Sequence, residues 1–219
     1  MKLNILFILS FILTSTLCLS DDGNQLVKEI LEEYKKVRSY EAEISVNVDI
    51  DYLDAPEKKG KIYYEYPKNT KIDIPGFSML PKQGTGNFIG EILSMKSTIV
   101  LIGNQKIDNE QLTHLKVIPN DSKEIVLVDL YVDKPEKLVK KAEITTKDNG
   151  TFNVTLKYKE FGGFSMPSLV NIEFNVPTFK MPKVLAGPNN EKKLKKIQND
   201  GENTKGKVII KYWNYLINK

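Results

Sequence analysis

The spacing of apolar residues changes early in the chain. Leu26, Val27, Ile30, Leu31, Tyr34 and Val37 recur at helical intervals, while Lys28, Glu29, Glu32, Glu33, Lys35 and Lys36 take the other side. The pattern predicts one amphipathic helix over roughly Asn24 to Arg38, opened by Asp22 and Gln25 in capping-box spacing. The period then drops to two. In "EISVNVDIDYL", Ile44, Val46, Val48, Ile50 and Tyr52 alternate with Ser45, Asn47, Asp49 and Asp51, the mark of a strand with one dry and one wet face in an antiparallel sheet. Strand patterns continue near 61–66, 70–74, 97–102, 112–118, 124–132, 138–146, 151–158, 168–176 and 207–216. Turn signals such as Asp54-Ala55-Pro56, Asn120-Asp121 and Asp148-Asn149-Gly150 separate them. These connections are too short for crossover helices, so a meander of neighbouring antiparallel strands is predicted.

About ten strands in one curved sheet offer a long apolar inner face, and a helix of about 15 residues, about 22 Å long, covers only part of it. Three apolar segments interrupted by Pro or Gly are candidates for covering the rest. The first, "IPGFSMLPKQGTGNFIGEIL", supplies Phe77, Met79, Leu80, Phe88, Ile89, Ile92 and Leu93; residues 77–80 and 88–95 suit a lid across the mouth of the sheet. The second supplies Phe164, Met166 and Leu169, and the third Phe179, Met181, Val184 and Leu185. Converging at one rim, they would bind a hydrophobic ligand such as an acyl chain, to which methionine adapts well. Large apolar ligands are held by burial, so no cofactor is expected.

Composition narrows the function classes. The chain has 219 residues, enough for one domain, with 32 Lys+Arg against 28 Asp+Glu. Both signs are interspersed and Arg38 is the single arginine, so the bidentate chemistry of a nucleic-acid reader is missing. The opening "MKLNILFILSFILTSTLCLS" has a basic start, a short apolar run and small polar residues, which predicts a signal peptide over 1–20 cleaved after Ser20. Cys18 raises the alternative of a lipobox, against which Leu17 stands where a small residue is needed. After cleavage, residues 21–219 form a single cysteine-free, extracytoplasmic domain with a flexible polar insertion at 187–206.

The order of elements is recognisable. A signal peptide, a helix ending in "EEYKKVRSYEAEISVNV", the strand "GKIYYEYPKNTKIDI" and the segment "VLVDLYVDKPEKLVKKAEITTKDNGTFNVTLKYKEF" resemble the outer-membrane lipoprotein carrier family and its LolA/LolB-like sorting relatives. The resemblance runs over nearly the whole mature chain. It implies an α+β fold, an incompletely closed antiparallel β-barrel covered by an N-terminal helix and a loop/helix lid, and a hydrophobic cavity for lipid or lipoprotein acyl chains in the periplasm. It further implies a monomer that meets envelope membrane proteins. The carrier has an arginine just before the proline matching Pro67, where it helps tie the lid closed; Tyr66 stands there in this chain, so that role is not carried over.

Candidate chemistry is sparse. "GTGNFIG" spans Gly84 to Gly90 in GxGxxxG spacing with no parallel βαβ unit around it, which argues against a dinucleotide loop. His114 is the sole histidine and alternates with Leu112 and Leu115 as an ordinary strand residue, and without a second histidine or a mature cysteine a zinc site or Cys–His nucleophile lacks its ligands. Asp49 and Asp51 share a strand face that alternation already assigns to solvent. Trp213, Tyr212 and Tyr215 read as core packing or an edge staple, and Arg38 as a partner for a helix-end carbonyl or an acidic neighbour. No enzymatic activity is therefore expected. Two non-enzymatic classes remain: a binder that carries or senses acyl chains, and an envelope sensor or protein-interaction module whose cavity is filled by its own side chains.

Overall fold

A computed structural model describes residues 22–50, 53–67, 69–75, 88–148, 150–177 and 203–218. The amphipathic segment forms helix α1, Asp22–Lys35, whose Leu26, Val27 and Ile30 are buried. It ends earlier than the apolar pattern predicts. Lys36 and Val37 close the last turn through i to i−3 hydrogen bonds, after which the Arg38 carbonyl accepts from the Tyr66 amide at 2.7 Å and enters the sheet ladder. Asn218 then caps the end from across the fold. Its side chain donates to the Lys36 carbonyl at 3.1 Å and accepts from the Arg38 amide at 2.6 Å, which satisfies groups the helix leaves open.

The strands are β1 Ser39–Ile50, β2 Leu53–Glu65, β3 Asn69–Asp73, β4 Ser97–Ile107, β5 Glu110–Pro119, β6 Ile125–Asp133, β7 Leu138–Thr146, β8 Thr151–Phe161, β9 Phe164–Pro177 and β10 Asn203–Ile217. They form one sheet in the order β3-β2-β1-β10-β9-β8-β7-β6-β5-β4, paired antiparallel throughout and not closed into a barrel. The simple meander expected from short connections is corrected at one place. Two meanders, β1 to β3 and β4 to β10, are joined by pairing β1 with β10, so sequence neighbours β3 and β4 form the opposite edges of the sheet.

With β3 and β4 on opposite edges, the chain leaving β3 begins by turning inward over β2. Ile74 is buried and lies against Gly60, where any side chain would overlap the Asp73 carbonyl. Farther on, Phe88–Leu93 forms a short helix α2 with Phe88, Ile89, Gly90, Ile92 and Leu93 all buried. Residues 88–93 are thus part of the packed interior, next to α1. Residues 77–80, also expected in the lid, lie outside the described residues, as do 1–20 and 187–202; residues 203–206, expected within the flexible polar insertion, instead open strand β10.

Period-two burial sets the inner face. Along β1, Tyr40, Ala42, Ile44, Val46, Val48 and Ile50 point inward, and Val128, Leu130 and Val132 do the same on β6. One continuous apolar cluster joins these strands to α1 and α2. Fully burying a side chain such as Ile30 or Ile92 contributes about 1.5–3 kcal/mol, so the helices are held mainly by this face. A bulge between Glu41 and Glu43, opposite Asn214 at φ 52°, adds a residue to β10 and turns Tyr215 toward the interior cluster.

Candidate functional site

The helices do not fill the whole inner face. At the C-terminal end of α1 a partly open cavity of ≈ 250 Å³ remains. Two helices and six strands contribute its apolar and aromatic wall. Tyr34 and Val37 come from α1 and the residues after it, Phe88 and Ile89 from α2, Leu138 from β7, and Val154, Leu156 and Tyr158 from β8. The rest of the wall is Phe164, Met166 and Val170 from β9 and Tyr40, Tyr64 and Tyr212 from β1, β2 and β10. Each inward position follows from strand alternation; the long-range pairings Tyr40 with Tyr64 and Ile44 with Tyr212 bring the tyrosines together.

Of the residues expected to form a hydrophobic rim, the structure gathers Phe88, Ile89, Phe164 and Met166 around this cavity. Ile92 and Leu93 are buried in the interior and are not among its lining residues, because they lie farther along α2. Phe77, Met79, Leu80, Phe179 and Met181 lie outside the described residues. The sequence reading passed over the tyrosine wall. Its signal was present, in that Tyr40, Tyr64 and Tyr212 stand at inward positions near strand ends, but strand alternation reads equally well as ordinary core.

The tyrosines form a packed group. The Tyr40 ring stacks on Tyr64 at 5.1 Å and meets Tyr215 edge-on at 5.4 Å, while Tyr212 stacks on Tyr215 at 6.4 Å. Tyr215 donates to the Pro167 carbonyl and Tyr158 to the Val139 carbonyl, each at 2.8 Å. Burial pushes the Tyr34 hydroxyl up to about 12, partly offset by its interaction with the Tyr158 hydroxyl. Burial also holds Tyr40, Tyr158, Tyr212 and Tyr215 well above the ordinary tyrosine range, and the neighbouring tyrosines add to the effect for Tyr40, Tyr158 and Tyr215. Near neutral pH these tyrosines are uncharged and keep their hydroxyl protons.

Charges at the lip are internally paired. Lys36 Nζ meets both carboxylate oxygens of Glu33 at 2.7 and 2.6 Å. Glu136 accepts from Lys140 at 3.0 Å, and Lys140 Nζ also lies 5.8 Å from the Tyr158 ring centroid. Partial burial pulls Lys140 downward, yet its hydrogen bond to Glu136 and the charges of Glu136 and Asp133 hold it above the ordinary lysine value.

The other singled-out residues stand apart from the cavity. His114 Nε2 lies 2.6 Å from Asp129 Oδ1, Lys116 shares that oxygen at 2.7 Å, and the His114 ring stacks on Tyr131. Burial raises the Asp129 carboxyl, but the hydrogen bonds from Lys116 and His114 prevail and hold it below the ordinary value. Trp213, read as core or an edge staple, donates from Nε1 to Glu43 at 2.6 Å. Arg38 departs from its expected partners: its guanidinium carbon lies 5.7 Å from the Tyr66 ring centroid. Asp49 is exposed, and Asp51 lies outside the described residues. Among the described residues no group of three or more His, Cys, Asp or Glu comes together as metal ligands, and no helix is long and apolar enough to cross a membrane.

No family model matches the sequence, and no curated protein matches it. Solved structures match by shape. A DUF1329 family protein from Desulfovibrio piger superposes with a TM-score of 0.60 at 9% identity, over 90% of this chain and 92% of that one. A domain named for outer membrane lipoprotein sorting, from Vibrio parahaemolyticus, gives 0.59 at 11% identity over 90% and 93%. A LolA superfamily protein from Nitrosomonas europaea gives 0.55 at 13% over 88% and 94%. At these identities the likeness is one of fold: the chain takes a LolA-like architecture, an unclosed antiparallel sheet with helices on its inner face.

Proposed function

We propose that the protein is a non-enzymatic, periplasmic binder of hydrophobic ligands that carries or senses lipid or lipoprotein acyl chains. The observation that carries this reading is the ≈ 250 Å³ cavity with its mainly apolar and aromatic wall, on a fold shared with a protein named for lipoprotein sorting. Its size restricts the ligand. An apolar cavity of about 150 Å³ accepts benzene, so this one has room for about ten carbon atoms, one chain rather than several. At about 0.8 kcal/mol per buried CH₂ the gross gain is roughly 8 kcal/mol, and after ordering costs micromolar affinity is a ceiling.

The test is native mass spectrometry of protein purified after export, paired with binding of a fluorescent fatty acid. A co-eluting acyl species is the expected result. Leu156→Trp, which grows a side chain into the hollow, should abolish probe binding; retained binding would remove this cavity from the site. A bare mass together with no probe binding would favour the second reading, an envelope sensor or protein-interaction module. That reading is favoured by the extent to which α1 and α2 already fill the inner face, and by Val100, Leu101 and Ile102, which stand exposed on edge strand β4.

A further inference from the structure

The tyrosines in the cavity wall and behind it are not equally engaged. Tyr158 and Tyr215 give their protons to backbone carbonyls, whereas the Tyr40 and Tyr212 hydroxyls have no hydrogen-bond partner among the described residues. Both residues are more than nine-tenths buried, at 9% and 6% exposure. Neither hydroxyl is sealed, for the sealed side-chain atoms without a partner among the described residues are Thr70 Oγ1 and Asn171 Oδ1. The open space that both residues border is the cavity. Both rings pack on Tyr215, which groups these two residues on one side of the cavity. Buried donors are ordinarily matched, so an acceptor belongs there.

The charges nearby select among acceptors. The charged lining residues are Glu33, Lys36 and Glu136; the one cation among them is held by Glu33, and Glu136 is held by Lys140. A free carboxylate at the inner wall would lose its water without gaining a cation, an unfavourable exchange that a neutral carbonyl avoids. We propose that Tyr40 and Tyr212 form a subsite for the neutral carbonyl of an acyl ester, so that the protein selects esterified chains over free fatty acids and plain hydrocarbon. This rests on the cavity being the ligand site proposed above. A lone hydrocarbon would leave both hydroxyls unmatched, and an ionised fatty acid would add an uncompensated charge.

The experiment is displacement of N-phenylnaphthylamine from the exported wild-type protein by methyl octanoate, octanoic acid and nonane at neutral pH, repeated with Tyr40→Phe/Tyr212→Phe. Methyl octanoate should displace the probe at about tenfold lower concentration than either competitor, the size of one to two ordinary hydrogen bonds. In the double variant, with folding checked by circular dichroism, that gap should collapse. Equal displacement by nonane and the ester in wild type would overturn the subsite while leaving the cavity's ligand role standing. Preference for octanoic acid would overturn the selection of a neutral acceptor, and an ester preference that persists in the variant would take the assignment away from these tyrosines. If none of the three displaces the probe, the ligand reading and the subsite fall together.

Discussion

The two ends of the inner face are built differently. Beneath the first turns of α1 and beside α2 the interior is aliphatic. Ile30 and Ile92 from the helices and Leu115, Val117 and Leu130 from the strands are all fully buried, and Gly23 lets the helix approach Ile99 and Leu101 on edge strand β4. At the C-terminal end of α1 the wall turns aromatic and hydroxylated, and the packing stops short of filling the space. Branched aliphatic side chains interdigitate to crystal-like density, while rigid rings that carry polar tips leave a shaped remainder. The first end is packed solid, and the second keeps an open cavity.

That contrast can be broken from either side. The largest effect belongs to the aliphatic end: Ile30→Ala should destabilise the protein by about 2–5 kcal/mol, since Ile30 is fully buried within the apolar cluster and its loss leaves a cavity there. Urea denaturation measures it, and a loss comparable to that of a surface alanine would mean the helix is only loosely seated. Next is Gly60→Ala. The new methyl group would meet the Asp73 carbonyl and Ile74, so a loss of about 1–3 kcal/mol is expected, with the end of β3 pushed away from β2.

At the aromatic end the sharper measure is pH. Tyr34, pushed up to about 12 in the folded chain, keeps its proton where an unfolded tyrosine near 10 has lost it. Its contribution is therefore complete below about pH 10 and drains away as pH climbs toward 12, giving a downward slope of at most about 1.4 kcal/mol per pH unit. Tyr34→Phe should flatten that slope in denaturant melts between about pH 9 and pH 11; an unchanged slope would mean the hydroxyl is not shielded from water. The smallest effect lies on the outer face. Lys61 pairs with Glu41 at 2.6 Å, but both are substantially exposed, so Lys61→Ala should leave the denaturation midpoint nearly unchanged, and all the more so in high salt.

The aliphatic end was largely legible in the sequence. Helical spacing marked Leu26, Val27 and Ile30, and period-two alternation marked nearly every strand, because both signals are local and repeat over many residues. The cavity was legible only in part. Phe88, Ile89, Phe164 and Met166 stood out as apolar residues in punctuated stretches, whereas Val154 and Leu156 looked like any inward strand positions. Tyr40 and Tyr212 become neighbours of one cavity only because β1 pairs with β10, a contact between distant parts of the chain that no local period records. The same pairing explains why the simple meander failed: it places the sequence neighbours β3 and β4 at opposite edges of the sheet.

The seating of β10 between β1 and β9 also governs assembly. The carboxyl-terminal strand is a keystone, and Asn218 fastens it to Arg38, 180 positions earlier. Until Lys207 to Ile217 has left the ribosome, β1 lacks one of its two flanking partners and the halves of the sheet have no seam. Such far-separated pairing slows folding, so the two halves of the sheet acquire their seam only after β10 has been made.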